Sequence, residues 1–383
     1  MSKTWSQDEL ALLKQNLETP IEDVCKLFPD RGFNSIHVKW KRMRQGTKVS
    51  EVLESDYDTL AKKEKTLSLE KRYKESLKEI AKLREFAEVK NKTLNHKGTY
   101  EYNSNSKSNK PHVVAVAPLS DVHAGSVVTL EETFGLNEYN IDVCDKRLTC
   151  YFNSIVKLIT QHSQNVIVDK LIFAPIGDLI DGYIHEEQMM QNELSSIEAT
   201  IWMKDRLIAG IEFLLSKLEV PLIEIPFVTG NHSRDTDKMY FAKVTETSYE
   251  TIIADALIKH FEHNERIRVH FNKSNIVFIE NVFGKTLRFE HGHSIKFGGG
   301  IGGITIPIIK AIAKDQVAKK YDCLVIGHFH QQFDGGRFVV NGSVIGYNKY
   351  AIDHHFEYEE PKQAFFLIDD KGRRIQMTQV FLN

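Results

Sequence analysis

Five short stretches rich in Asp, His and Asn constrain this chain more than any other feature. In chain order they are Asp121-Val122-His123, Gly177-Asp178-Leu179-Ile180-Asp181, Gly230-Asn231-His232, His291-Gly292-His293 and Gly327-His328-Phe329-His330. Each follows an apolar run that predicts a buried strand, namely VVAVAPLS, KLIFAPI, PLIEIPFVT, KTLRFE and YDCLVI. Because side chains just beyond the strand ends of an open sheet meet in one crevice, we expect these distant residues to form a single site.

The residue types in the five stretches predict a site for two divalent cations. Aspartate oxygens, neutral histidine nitrogens and an asparagine oxygen suit Mn²⁺, Fe²⁺ or Zn²⁺ better than Mg²⁺ or Ca²⁺. Cysteine is absent from the set, which argues against a structural zinc site. Two cations that share a carboxylate can clamp a phosphoryl group and activate a water, and we assign Asp178 as the shared carboxylate. We expect two ions of Mn²⁺, with Fe²⁺ or Zn²⁺ as alternatives.

The order DxH, GDxxD, GNH, HGH and GHxH resembles the calcineurin-like metallophosphoesterase superfamily, over roughly residues 113 to 345. The resemblance implies an α/β sandwich of two mixed sheets flanked by helices. It implies two ligand sets: Asp121, His123, Asp178 and His330 for the first metal, and Asp178, Asn231, His291 and His328 for the second. It also implies that His232 contacts the phosphate and protonates the leaving oxygen.

Three further residues are predicted to support these ligands. We expect Asp181 and His293 to orient them by hydrogen bonds, and Arg234 to offer a phosphate contact. Gly182 and Ser233 stand where protein serine/threonine phosphatases of the superfamily carry Arg and Glu. These two departures weaken the protein-phosphatase interpretation.

A glycine-rich run after the fourth stretch has a simpler explanation than nucleotide binding. Gly298, Gly300 and Gly303 fit GxGxxG. The run follows the His291 loop and does not open a βαβ unit, so we do not expect dinucleotide binding. It predicts a loop rimming the site and then a helix starting near Ile308. No GxSxG or GxxxxGK[ST] motif occurs, which removes the serine hydrolases and nucleotide triphosphatases that those motifs mark.

Residues 4 to about 46 predict a compact unit of three helices. Trp5, the pair Asp8-Glu9, the turn Phe28-Pro29-Asp30-Arg31 and Trp40 resemble Myb/SANT-like helix-turn-helix domains. A basic run without acidic residues follows, and we expect its members to contact DNA: Arg31, Lys39, Lys41, Arg42, Arg44 and Lys48. The alternative is a solvated basic helix in a protein-interaction module.

Four segments follow from these patterns: a helix-turn-helix module over 1–48, an amphipathic helical spacer over 49–94, a flexible linker over 95–111 and a catalytic domain over 112–383. The helix over 50–92 is expected either to pair with a second copy of the chain or to pack on its own domain. Near the carboxyl end, GRFVVNGSV and QAFFLIDDKGRRIQMTQVFL predict strands that complete the second sheet.

Charge and the two ends of the chain together suggest the substrate. Residues 1–110 hold 23 Lys and Arg against 17 Asp and Glu, and the remainder holds 27 against 35. A basic end joined to a two-metal site predicts a phosphodiesterase that hydrolyses DNA, and the whole arrangement resembles phage-encoded metallophosphoesterases of the Mre11/SbcD type. The alternative is a phosphatase or small-molecule phosphodiesterase whose amino-terminal module docks it to a protein.

The expected compartment is the cytoplasm, or the host cytoplasm if a phage encodes the chain. The chain contains no apolar run of the roughly 18 to 20 residues that a membrane span needs, and its start lacks the apolar core of a signal peptide. Its four cysteines form no CxxC pair and are too sparse for a disulfide framework. We therefore expect no membrane partner.

Overall fold

The computed structural model describes residues 4–94, 110–183, 190–296 and 303–383, with the main chain alone for 47–55 and 90–94. The chain divides into two compact units, Met1–Asn103 and Ser104–Asn383. Most of the predicted linker, and Gly298 and Gly300 of the glycine-rich run, lie outside the described residues.

The first unit contains the three predicted helices, α1 (Gln7–Gln15), α2 (Ile21–Lys26) and α3 (Phe33–Leu94). Helix α1 begins with a capping box, in which Ser6 and Glu9 each accept a hydrogen bond from the main-chain N–H of the other. A small core holds the three helices together: Leu13, Leu17, Val24, Phe28, Ile36 and Trp40. The N-terminal helical region expected from the sequence is present.

Helix α3 runs through the predicted boundary between the module and the spacer. Its 62 residues give a length of about 90 Å at 1.5 Å per residue. Beyond the small core, α3 exposes a series of apolar side chains: Tyr57, Leu60, Leu67, Leu69, Tyr73, Leu77, Ile80, Leu83, Phe86 and Val89. Each of these side chains is at least 45% exposed.

The second unit is built on two mixed sheets. The first has the strand order β11-β10-β1-β2-β3-β4. Its strands are β1 (His112–Leu119), β2 (Ile167–Pro175), β3 (Ile223–Pro226), β4 (Ile267–His270), β10 (Lys362–Asp369) and β11 (Arg374–Phe381). Strands β1 to β4 pair in parallel, whereas β10 pairs antiparallel with both β1 and β11.

The second sheet has the strand order β5-β6-β7-β9-β8. Its strands are β5 (Val277–Val282), β6 (Lys285–Phe289), β7 (Cys323–Ile326), β8 (Phe333–Asp334) and β9 (Phe338–Val340). The central pairs β6·β7 and β7·β9 are parallel, and the edge pairs β5·β6 and β8·β9 are antiparallel. The predicted α/β class with two mixed sheets flanked by helices is therefore confirmed.

One expectation about the carboxyl end is wrong. The segment QAFFLIDDKGRRIQMTQVFL forms β10 and β11, which extend the first sheet instead of completing the second. The reason is the pairing of β10 with β1, from Val113 opposite Asp369 to Val116 opposite Phe366. Strand periodicity predicts that these segments are strands, but it does not specify which sheet they join.

Among the described residues of the second unit there are five α-helices of five residues or more: α4 (Ile141–Ser163), α5 (Ser196–Lys217), α6 (Glu250–His260), α7 (Thr305–Asp315) and α8 (Lys349–Asp353). Helices α4, α5 and α6 pack on one face of the first sheet, and α7 packs on the second sheet. Strand β1 shows the layering, because Val113 and Ala115 face the helices while Val114 and Val116 face the other sheet. Burial on both faces explains why these strands are continuous apolar runs.

A polar group joins three strands of the first sheet. Glu224 on β3 accepts a hydrogen bond from Lys170 Nζ on β2 at 2.6 Å, and its other oxygen lies 3.3 Å from His270 Nε2 on β4. Burial acts to raise the pKa of Glu224, but His270 and Lys170 outweigh it and lower the pKa to about 2. These two neighbours thus keep the buried carboxylate ionised.

No helix in the described ranges has the length and apolar character needed to cross a membrane.

Candidate metal centre

The five stretches lie where the strands predicted before them end. Asp121 follows β1, Asp178 follows β2 and Asn231 follows β3 in the first sheet, whereas His291 follows β6 and His328 follows β7 in the second. Both sheets therefore contribute to one site.

Main-chain hydrogen bonds join neighbouring loops of the site. The N–H groups of Val122 and His123 both donate to the carbonyl of Asp178, at 2.8 and 3.0 Å. Between the loops that follow β6 and β7, the N–H of Gly327 donates to the carbonyl of His291 at 3.0 Å. Main-chain hydrogen bonds thus connect these loops in pairs, independently of the side chains they carry.

The main chain at the site is strained. Five of the seven predicted metal-holding residues have positive φ: Asp121 (54°), His123 (53°), Asp178 (50°), His328 (69°) and His330 (54°). Only a few per cent of non-glycine residues adopt this left-handed region, at a cost of order 1 kcal/mol or more each. Such a concentration is typical of positions where the direction of a side chain is fixed for function.

The first group of candidate ligands consists of Asp121, His123 and His330. Each offers one ligand atom, and these atoms lie within 4.8 Å of one another. His123 Nε2 is 3.2 Å from His330 Nε2, which in turn is 3.3 Å from Asp121 Oδ1. Burial acts to raise the pKa of Asp121, but His330 lowers it, so the carboxyl group stays ionised.

The second group consists of Asp178, His291 and His328, whose ligand atoms also lie within 4.8 Å of one another. His291 Nε2 is 2.9 Å from Asp178 Oδ2. Burial opposes ionisation of Asp178, but the neighbouring His291 and His232 hold its pKa well below the usual range. For His328, burial and the nearby His291 lower the pKa to about 3, which keeps this ring neutral.

These residues fit divalent cations. His291 Nδ1 is 2.8 Å from the carbonyl of Ile176, to which it donates, so Nε2 of the neutral ring carries a lone pair. That lone pair faces the Asp178 carboxylate, and a proton or a cation must lie between two such acceptors. Asn231 Oδ1 is buried and has no hydrogen-bond partner among the described residues. A cation bound here would supply a partner to both atoms.

His232 lies beside the two groups and is held by an aspartate. Its Nδ1 is 2.8 Å from Asp181 Oδ1, and its main-chain N–H donates to Asp178 Oδ1 at 2.8 Å. Burial lowers the pKa of His232, but Asp178 and Asp181 outweigh burial and raise it. The Asp181 oxygen also lies 3.1 Å from His123 Nδ1, so one carboxylate orients both rings.

Glu250 joins two of the ligand loops, although nothing in the sequence distinguishes it from a solvated residue at a helix start. Its side chain is fully buried at the first turn of α6. Oε1 accepts the N–H of Leu179 at 2.5 Å and Oε2 accepts the N–H of Gly230 at 2.7 Å. Leu179 follows Asp178 and Gly230 precedes Asn231, so this carboxylate fixes the spacing between the two loops.

A second buried network holds Asp121, and sequence reasoning missed it as well. Ser120 Oγ donates to Asp121 Oδ2 at 2.5 Å. Asn341, just after β9, donates from Nδ2 to Ser120 Oγ at 2.9 Å and to Gln363 Oε1 at 2.6 Å. Gln363 belongs to β10 of the first sheet, so the network links the two sheets beneath Asp121.

Arg234 and His293 lie near the ligands without joining either group. The Arg234 guanidinium donates to the main-chain carbonyls of Asn231, Thr236 and Asp237, at 2.8, 2.9 and 3.2 Å. It therefore supports the loop carrying Asn231, and the phosphate contact of Arg234 stays a prediction. The ring of His293 is 5.6 Å from that of His291, and burial and His291 lower its pKa to about 4.

In the first unit, Arg31 is engaged in internal packing. Its Nε donates to Glu9 Oε1 at 2.6 Å, and its guanidinium lies 4.2 Å from the centre of the Trp5 ring. Only 7% of its side chain is exposed. A DNA contact through Arg31 would have to break these interactions, because they use the same guanidinium.

The other residues predicted to contact DNA differ in exposure. Lys41 and Arg42 are exposed on α3, and Lys39 is half-buried. Arg44 is also half-buried, with its guanidinium 3.0 Å from Glu18 Oε2. The side chain of Lys48 lies outside the described residues.

Comparisons with known proteins place the chain far from characterised relatives. No family model and no curated protein matches it. A dimetal phosphatase from Danio rerio is 13% identical, with a TM-score of 0.32 over 70% of this chain and 99% of that one. Vacuolar protein sorting 29 from Cryptosporidium parvum is 11% identical, with a TM-score of 0.28 over 71% and 98% of the two chains.

A third solved structure, phosphopantetheinyl hydrolase from Mycobacterium tuberculosis, is 10% identical, with a TM-score of 0.24 over 70% of this chain and 97% of that one. These likenesses are too distant to support a conclusion about activity.

Proposed function

We propose that the chain is a two-metal phosphodiesterase that hydrolyses DNA, with its first unit acting as a tether to the same DNA. The observation that carries the catalytic part is the pair of ligand groups, Asp121, His123 and His330 beside Asp178, His291 and His328, with His232 held next to both. A metal site with a purely structural role needs no proton donor such as His232.

Each side chain has a role in this proposal. Asp178 would be the carboxylate shared between the cations. Its Oδ2 lies 2.9 Å from His291 Nε2 of the second group, and its main-chain carbonyl accepts the N–H of His123 of the first. Two divalent cations, when bound, would supply Lewis acidity toward the phosphoryl oxygens and would lower the pKa of a water. Asn231 would offer its unpartnered oxygen to the second ion.

Proton transfer falls to His232. Asp181 accepts from Nδ1, and Nε2 would donate a proton to the leaving oxygen. The neighbouring carboxylates raise the pKa of His232 and so favour the protonated ring that a general acid requires. Asp181 would fix the orientation of this ring as it also fixes His123.

The DNA part of the proposal rests on the first unit and on charge. Lys41 and Arg42 are exposed on α3, in the basic run that lacks acidic residues. A tether of this kind raises the local concentration of substrate around the catalytic unit. The same proposal includes pairing of α3 with a second copy through its exposed apolar side chains, in which case light scattering would return twice the chain mass of 44.0 kDa.

The proposed activity can be tested with three substrates and one variant. Plasmid DNA, bis-p-nitrophenyl phosphate and p-nitrophenyl phosphate are incubated with full-length protein and Mn²⁺, Fe²⁺, Zn²⁺ or Mg²⁺. We expect the DNA and the diester to be cleaved faster than the monoester, and we expect His232→Ala to lose cleavage of DNA, whose leaving oxygen needs a proton.

Two results would refute the proposal. Preference for the monoester, with intact plasmid DNA, would favour a phosphatase whose first unit docks it to a protein. Retention of full DNA cleavage by His232→Ala would place the activity outside this site or in a contaminant.

A further inference from the structure

Two exposed aromatic side chains lie on the loop that follows Gly230-Asn231-His232. Tyr240 and Phe241 are 56% and 65% exposed, and Phe241 begins a short 3₁₀ helix that ends at Lys243. Neither side chain belongs to a hydrophobic core of the described residues. Large apolar side chains left in solvent beside a polar site are typical of ligand contacts.

Phe241 stacks on the ring of His293, which lies beside the candidate ligands. Its centroid is 6.1 Å from that of His293, and the two planes are inclined by 25°, so the rings are stacked. The centroid of His293 is in turn 5.6 Å from that of His291 and 6.4 Å from that of His328. We call Phe241 and His293 the aromatic shelf. It begins at the candidate ligands of the second cation and extends outward to solvent.

The chemistry of the shelf selects what it can hold. Phosphate oxygens and sugar hydroxyl groups gain little from an aromatic face, whereas a nucleobase gains a stacking partner. In DNA every phosphodiester has a base on each side, so a phosphate held by the cations brings a base close to the shelf. The solvent-exposed part of the Phe241 ring is available to that base.

We propose that the aromatic shelf binds the base of the nucleotide next to the scissile phosphate. This inference rests on the proposed phosphodiesterase function and names the part of the substrate that the site recognises beyond the phosphate. A base inside a duplex already has both faces stacked, so the shelf takes an unpaired base. The preferred substrate is therefore single-stranded or locally melted DNA.

A pair of esters with one leaving group tests the proposal on the full chain. Thymidine 5′-(p-nitrophenyl phosphate) carries a base, whereas methyl p-nitrophenyl phosphate does not. We expect Phe241→Ala to lower kcat/KM for the thymidine ester about ten- to a hundredfold, the range that one stacked base contributes, and to leave the methyl ester within about twofold. Phe241→Trp should restore the thymidine ester, because indole keeps the stacking face.

Control measurements separate stacking from damage to the site. Phe381→Ala removes a ring that is 47% exposed on strand β11 and should change neither ester. Metal content after gel filtration should be the same in wild type and Phe241→Ala, because Phe241 offers no ligand atom. Equal losses on both esters, or no loss on either, would overturn the subsite.

The preference for unpaired bases can be tested independently of the two esters. A single-stranded oligonucleotide should inhibit hydrolysis of the thymidine ester more strongly than the same sequence in a duplex, and Phe241→Ala should remove most of that difference. Equal inhibition by both forms would refute the preference for unpaired bases. If the wild type hydrolyses neither ester with any of the metals, the phosphodiesterase function itself fails and the shelf proposal with it.

Discussion

Replacing Glu250 by Gln should weaken binding of the second cation, although Glu250 offers no ligand atom. The carboxylate accepts two main-chain N–H groups, at 2.5 Å from Leu179 and at 2.7 Å from Gly230. Glutamine has the same shape but only one oxygen. One of the two buried N–H groups would therefore face an NH₂ group, which cannot accept a hydrogen bond.

The magnitude follows from the bond that is lost. A hydrogen bond to a charged acceptor contributes about 1.5–3 kcal/mol, so we expect the free energy of unfolding to fall by about 2 kcal/mol. When the Glu250 bridge is lost, the two loops relax, and binding of the second cation must then restore their spacing. A reorganisation of about 1.4 kcal/mol would raise the dissociation constant of the second cation about tenfold. The first cation, held by Asp121, His123 and His330, should be affected less.

Calorimetric titration of metal-free protein with Mn²⁺, together with urea unfolding, would measure both effects. Burial and Asp178 raise the pKa of Glu250 to about 7, so the titration is done at pH 8, where the carboxylate is ionised. Glu262→Gln is the matched control, because that carboxylate is exposed just beyond α6. Wild-type affinity for both cations, together with a wild-type unfolding midpoint in Glu250→Gln, would refute the role that we give to this clamp.

Three further predictions concern the acid, the tether and the first sheet. His232→Ala should keep its metal content, while its turnover should fall by roughly 10² to 10⁴. An undiminished rate with a substrate whose leaving group needs no proton would support the acid role. An equal loss of rate on that substrate would indicate that His232 positions the phosphate instead. The double variant Lys41→Ala with Arg42→Ala should lower the slope of log K against log salt for binding to duplex DNA by roughly 2, at about 0.9 per lost phosphate contact. Its hydrolysis of a small diester should stay unchanged. An unaltered slope would assign the module to protein docking. The pKa of Glu224 in the folded chain is lowered to about 2, so its contribution to stability is present above pH 4.5 and is lost as pH falls toward 2. Glu224→Gln should therefore make the free energy of unfolding, measured with urea, depend less on pH in this range.

The parts of the fold that could be predicted depend on local pattern. The apolar runs before Asp121, Asp178, Asn231, His291 and His328 form strands, and the structure brings the side chains after them together. Parallel strands buried on both faces are continuous apolar runs, which explains why these strands were identifiable. Their roles in holding metal remain predictions.

What could not be predicted depends on long-range pairing. Strand β10 joins the first sheet because its register matches β1, and nothing local specifies that partner. The supports Glu250, Ser120 and Asn341 have common polar side chains whose burial follows only from tertiary packing. Arg31 is similar, since a basic residue in a basic run gave no sign that Glu9 would bind it inside the module.

The central claim is that two cations share Asp178 at one site, and metal analysis of full-length protein tests it most directly. Wild type, Asp178→Asn and the control Asp169→Asn, which alters a partly exposed carboxylate within strand β2, are loaded with Mn²⁺, passed through gel filtration and analysed for metal. The account predicts two ions per chain in wild type and Asp169→Asn, and loss of both from Asp178→Asn, because a neutral amide bridges two cations poorly. Two tightly held ions in Asp178→Asn, or none in wild type, would contradict it.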